Sequence, residues 1–170
     1  MEKKLISESR KKRFEVQGIT GFSIETLSEL KYGIRFAFQL CVSLVLIGLL
    51  TKSYILLIAM NLVAIGGSIF SRHPFDYLFN HILSPLIKKP AVPQRSPQLR
   101  FACIMASFSL AGIISLFYLQ MDTAAYLLGA SLVLVGGLVS TTDICIPSHI
   151  YNALFLKSKS PKAVKSGNLF

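Results

Sequence analysis

Four stretches of the chain are almost purely apolar, at residues 34–50, 54–70, 101–119 and 124–140, and short polar or charged blocks separate them. Each is close to the roughly 20 residues that cross a hydrocarbon core of about 30 Å as an α-helix. None contains Asp, Glu or Lys, and Arg35 sits at the end of the first. None shows the polar stripe at helical period that a helix of a soluble bundle needs. The pattern therefore predicts an all-α, polytopic membrane protein with four transmembrane helices. The connection at Thr51-Lys52-Ser53 is too short for anything but an antiparallel neighbour, and Gln120-Met121-Asp122-Thr123 joins the third and fourth helices in the same way.

The two hairpins echo each other. Arg35-Phe36-Ala37 opens one and Arg100-Phe101-Ala102 the other, while Gly66-Gly67 and Gly136-Gly137 lie near their ends. Each is followed by a proline and an amphipathic segment, Pro74 with Phe75, Leu78, Phe79 and Ile82, then Pro147 with Ile150, Tyr151, Leu154 and Phe155. Proline is favoured in a first helical turn, so each segment is expected to be a short interfacial helix. The reading is of two duplicated hairpins related by an axis along the membrane normal, with the Gly pairs overlying one another in close packing.

The expected organisation is a mobile basic arm over residues 1–22, a first hairpin unit over 23–83, a Pro-rich linker over 84–99, a second unit over 100–156 and a basic tail over 157–170. Within the first unit, Ser23 caps a short surface helix carrying Ile24, Leu27 and Leu30, and Gly33 loosens its join to the first span.

Composition adds orientation. The chain is 52% hydrophobic and 15% charged, with a net charge of +10. Lys and Arg gather before the first span, between the second and third, and after the fourth, whereas the other two loops hold only Lys52 and Asp122. The positive-inside rule then places both termini and the central loop in the cytoplasm. Juxtamembrane basic residues attract anionic lipid head groups, which accounts for the charge without nucleic acid. Three cysteines, Cys41, Cys103 and Cys145, make no disulfide framework.

Candidate chemistry is sparse. The chain has no Walker loop, zincin helix, G-x-S-x-G or paired carboxylates, which points away from an enzyme and gives no catalytic residue, metal site or cofactor. Its reactive side chains cluster where the hairpins end: Asp143, Cys145, Ser148, His149 and Tyr151 at one exit, Arg72, His73 and Asp76 at the other. Cys145 precedes a helix N-terminus, which favours thiolate, and is expected to be the thiol most open to water. The competing structural reading makes Cys145 a small residue at a turn, Asp143 a helix cap and the histidines interfacial. At membrane depth Gln39, Asn61 and Ser131 are the candidate polar residues, as bundle glue or as the lining of a path in a small oligomeric channel or transporter.

The hairpin order, the Ser84-Pro85 in a basic Pro-rich loop, Arg100-Phe101-Ala102 and the run Cys145-Ile-Pro-Ser148-His-Ile-Tyr151 together resemble the bacterial four-helix membrane family catalogued as domain of unknown function 4395 (DUF4395), over about residues 25–156. The resemblance implies residence in the bacterial inner membrane and an accessory role beside a thioredoxin-like or sulfurtransferase partner docked at the cytoplasmic face. Family members often carry C-x-x-C-x-x-Y at this exit. Ser148 stands here where the second Cys would be, so an internal C-x-x-C disulfide is ruled out, while a mixed disulfide with a partner is not.

Overall fold

The computed structural model describes residues 6–156, all of whose regular elements are helical. They run α1 (Glu8–Val16), α2 (Ile24–Leu50), α3 (Tyr54–Ile69), α4 (Pro74–Leu78), α5 (Ser84–Ile87), α6 (Pro97–Tyr118), α7 (Asp122–Thr142) and α8 (Ile146–Tyr151). A π-helical turn, Phe79–Leu83, joins α4 to α5, and another, Asn152–Leu156, follows α8. The basic tail expected at 157–170 and the first five residues of the arm lie outside the described residues.

Helices α2, α6 and α7 are each long and apolar enough to cross a membrane. The second apolar run forms α3, which meets the helix that begins at Pro74 at a bend of 85°, so the count of spans is three, or four if that bent pair is one. Ile55, Phe108, Leu127 and Leu134 project outward from the long helices, an apolar exterior suited to lipid.

Local chemistry sets the helix ends. Ser23, Ser53 and Ser96 are N-caps whose hydroxyls accept from the amides of Thr26, Leu56 and Leu99. Pro97 occupies the first turn of α6, where its missing N–H is no loss. Lys52 and Gln120 turn the hairpins with positive φ, and an ion pair from Lys52 to Asp122 ties the two tips together.

Helix α3 packs on α6 and α2 on α7, so each hairpin embraces the other. One core, around Leu49, Leu57, Met60, Leu110, Ile113 and Phe117, lies toward the tips. A second, around Phe14, Leu27, Leu30, Ile34, Phe79, Val92, Leu99 and Val139, lies at the opposite, basic end.

Three expectations are corrected there. Residues 8–16 are not a free arm but helix α1, with Phe14 fully buried and Arg13 donating to the Thr142 carbonyl at 2.6 Å. The surface helix expected from Ser23 is continuous with the first span. Gly33 does not loosen that helix; a Cβ there would strike Val92 and Phe79, so it marks where those residues press on α2. Residues 84–99 are not a plain linker: Ser84–Ile87 is helical, Val92 exchanges both backbone hydrogen bonds with the Asn80 side chain, and Arg95 turns inward. Proline content argued for an extended segment, and residues 89–96 have no regular structure, but burial of Val92 and of the Arg95 side chain holds them against the bundle.

The helix C-termini at this end are held by arginines. Arg35 donates to the Thr141 carbonyl and, through two nitrogens at 2.7 and 2.6 Å, to the Asp143 carboxylate, which Arg10 also approaches at 3.1 Å. Arg100 donates to the Ser68 and Ile69 carbonyls ending α3. Cations at helix C-termini match the negative end of the dipole. The glycine pairs are used unequally: Gly66 meets Pro74, Gly67 meets His73 and Cys103, and Gly136 meets Val42, whereas Gly137 has open space.

Candidate functional site

A cavity of about 220 Å³ lies among α2, α3, α6 and α7, and its basic end holds His73, Arg95, Cys41, Cys103 and Cys145. All three cysteines of the chain line it, brought from positions 41, 103 and 145. Its remaining walls are apolar, among them Phe38, Val45, Met60, Leu110 and Leu132.

His73 is placed by the bend after α3. Pro74 begins α4, His73 is its N-cap, and a reciprocal box closes it: the Phe75 amide donates to His73 Nδ1 at 3.2 Å, and the His73 amide donates to Asp76 Oδ2 at 3.1 Å. Because Nδ1 accepts, the ring proton of the neutral imidazole sits on Nε2. That nitrogen faces the cavity, 4.0 Å from Cys41 Sγ. Burial, and then the positive charge of Arg95, push the His73 pKa down to about 3 against the opposing pull of Asp76, so the ring is neutral at pH 7. Gly67 is required beneath it, since a Cβ would collide with the imidazole and touch Cys103 Sγ.

Arg95 enters from the chain before α6. Its amide donates to the Ser71 carbonyl, its guanidinium lies over the Phe38 ring at 5.2 Å, and Nε and Nη2 reach the two Asp76 oxygens at 2.6 and 3.0 Å. Both partners are almost wholly buried. Burial alone would lower the Arg95 pKa, but the Asp76 hydrogen bond more than offsets it and the guanidinium stays charged. Its free nitrogen, Nη1, lies 4.0 Å from Cys103 Sγ. Asp76 spends both oxygens on Arg95 and the His73 amide, so the head of the cavity presents donors and thiols but no free carboxylate.

The sequence-predicted cluster is divided. Of Asp143, Cys145, Ser148, His149, Tyr151, Arg72 and His73, only Cys145 and His73 line the cavity. Asp143 is the left-handed C-cap of α7 and belongs to the arginine knot. His149 is exposed, Tyr151 packs on Phe101 and Phe155, and Arg72 is half-buried with Nε unpartnered. Cys145, expected to be the most open thiol, is 3% exposed, and Cys41 is the least buried of the three. The helix after Cys145 does start there, but the thiol belongs to the same buried cluster as Phe14 and Val139. Burial pushes the Cys145 thiol up, tempered by Ser148, whose hydroxyl makes no well-formed hydrogen bond of its own.

The mid-membrane residues do not converge. Gln39 is exposed on the outer face of α2, Asn61 accepts from Ser107 at 2.7 Å, and Ser131 alone reaches the cavity. Among the described residues no group of three or more His, Cys, Asp or Glu is disposed to hold a metal ion.

Sequence reasoning placed Asp76 beside Arg72 and His73 but missed Arg95, Cys41 and Cys103 as its partners in one site. One signal was present: Asp76 is the only acid between Glu29 and Asp122, and a lone acid in so basic a region needs a partner.

No curated protein and no solved structure matches the chain. The family described as a domain of unknown function, DUF4395, matches residues 31–155, spanning the cavity and every residue that lines it, and the chain belongs to that family.

Proposed function

We propose that this protein is an accessory component of the bacterial inner membrane that offers a thiol-lined cavity to a thiol- or sulfur-handling partner, thioredoxin-like or sulfurtransferase in kind, at the cytoplasmic face. One observation carries the reading: all three cysteines of the chain meet in one cavity, beside a neutral imidazole donor and an arginine. Cysteines used only as small packing residues have no reason to share one polar-headed space. The site is not that of a primed nucleophile. His73 presents a proton and not a lone pair to Cys41, and Cys145 is held protonated by burial.

In this reading the chain crosses the membrane four times with both ends cytoplasmic, and α3 with the bend at Pro74 is the short crossing. The halves arise by duplication. Support comes from the mutual embrace of the hairpins, from Arg35 and Arg100 each holding the opposite hairpin's C-terminal carbonyls, and from the π-turns that follow α4 and α8. A reporter fused after Lys165 is then cytoplasmic and one inserted at Asp122 exported; any other result removes the topology.

The functional test scores Cys41→Ser, Cys103→Ser and Cys145→Ser beside Gln39→Ala and Asn61→Ala in one deletion phenotype under thiol stress. Cysteine variants that reproduce the deletion, with silent Gln39 and Asn61 variants, support the thiol reading. The reverse pattern would refute it and favour a transport path.

A further inference from the structure

We propose that the cavity binds a neutral, carbonyl-bearing amphiphile of the bilayer, of the size and chemistry of a quinone head group with its apolar tail, with the carbonyl accepting from His73 Nε2 and Arg95 Nη1. The inference rests on the cavity alone and stands whether or not the thiols act.

Three observations select the ligand. The first is donor polarity. His73 Nε2–H and Arg95 Nη1–H are met only by thiol sulfurs at 4.0 Å, weak acceptors at the far limit of a hydrogen bond, and both Asp76 oxygens are already engaged. Two underused donors converging on a buried space call for an acceptor. The second is charge. Arg95 is matched by Asp76 and His73 is neutral, so the head of the cavity has no net charge to compensate an anion. A carboxylate would be buried uncompensated, whereas a carbonyl accepts both hydrogen bonds without that cost. The third is shape. The space of about 220 Å³ exceeds the roughly 150 Å³ that admits benzene, so it takes a substituted ring. Its lining includes Met105 on α6 and Ser131 on α7, both exposed on the outer surface of their helices. The cavity thus reaches the lateral face of the bundle, where a tail can extend into lipid.

The test uses the full chain in phosphatidylcholine nanodiscs and equilibrium dialysis of two probes with matched tails: a fully ring-substituted benzoquinone with a decyl chain, which cannot arylate thiols, and decanoate. The quinone is expected to bind saturably at one per chain and about tenfold or more tighter than decanoate. Ala106→Phe, which fills the lining, abolishes binding. His73→Ser, which keeps an N-cap hydroxyl but removes the ring donor, weakens it about fivefold, the loss of one hydrogen bond. Circular dichroism confirms that both variants fold, and a Cys41→Ser/Cys103→Ser/Cys145→Ser chain that still binds separates this result from the thiol reading. No saturable binding above that of empty nanodiscs, decanoate binding as tightly as the quinone, or full binding by Ala106→Phe overturns the proposal.

Discussion

Replacing Arg95 with Met would expose how much the basic end of this protein depends on one buried ion pair. Arg95 meets Asp76 through two nitrogens at 2.6 and 3.0 Å, and Asp76 has no exposed surface. Met fills much of the guanidinium's volume but leaves the carboxylate with the His73 amide as its one remaining hydrogen bond. Breaking a buried pair from one side costs about 3–5 kcal/mol, because the charge left behind is neither solvated nor compensated. At roughly 2–4 °C per kcal/mol, that is about 6–20 °C in the midpoint of thermal unfolding, followed by helical ellipticity in a single detergent. Asp76→Asn in the same chain removes the stranded charge while preserving an acceptor for the His73 amide. The double variant should therefore recover more than half of the loss. A single variant within about 2 °C of the native chain, or a double variant no more stable than the single one, would show that the pair does not hold α4 to the chain before α6, and the electrostatic account of the cavity would fall with it.

Two further outcomes follow from the same structure. The folded pKa of His73, about 3, lies below the unfolded value near 6.5, so the unfolded chain binds the extra proton first and stability falls as pH drops through that interval, by up to about 1.4 kcal/mol per pH unit. Unfolding midpoints measured between pH 6.5 and 5, above the carboxylate range, should decline more steeply for the native chain than for His73→Asn, which keeps a cap acceptor and does not titrate there; equal slopes would contradict the buried neutral ring. Phe14→Ala should cost about 3–5 kcal/mol, as for any fully buried aromatic, and should raise maleimide labelling of Cys145 above that of Cys41; a change under about 1 kcal/mol would mean that α1 is not part of the fold.

The long helices were legible in the chain because lipid leaves little choice: an apolar run of spanning length must satisfy its backbone internally, and charges at its ends mark where it stops. The Ser23 cap, the short hairpin connections and the helices beginning at Pro74 and near Pro147 were readable for the same local reasons. The family too was readable, from motifs no longer than a few residues.

What tertiary structure alone decided is which polar groups meet. Cys145, His149 and Tyr151 are neighbours in sequence, yet the turn into α8 sends the thiol inward and leaves the imidazole of His149 outside. Arg95 sits between prolines and looks solvated, but Asp76, nineteen residues away, is the one carboxylate that can neutralise it in a buried place. Residues 8–16 look like a soluble arm because seven of the nine are polar or charged; the burial of the single ring of Phe14, with Arg10 and Arg13 drawn to the end of α7, outweighs that average. Local pattern fixes elements through the backbone's own bonding, which is a property of consecutive residues. A cavity built from positions 41, 73, 95, 103 and 145 is a property of how those elements close on one another, and its chemistry appears only when they do.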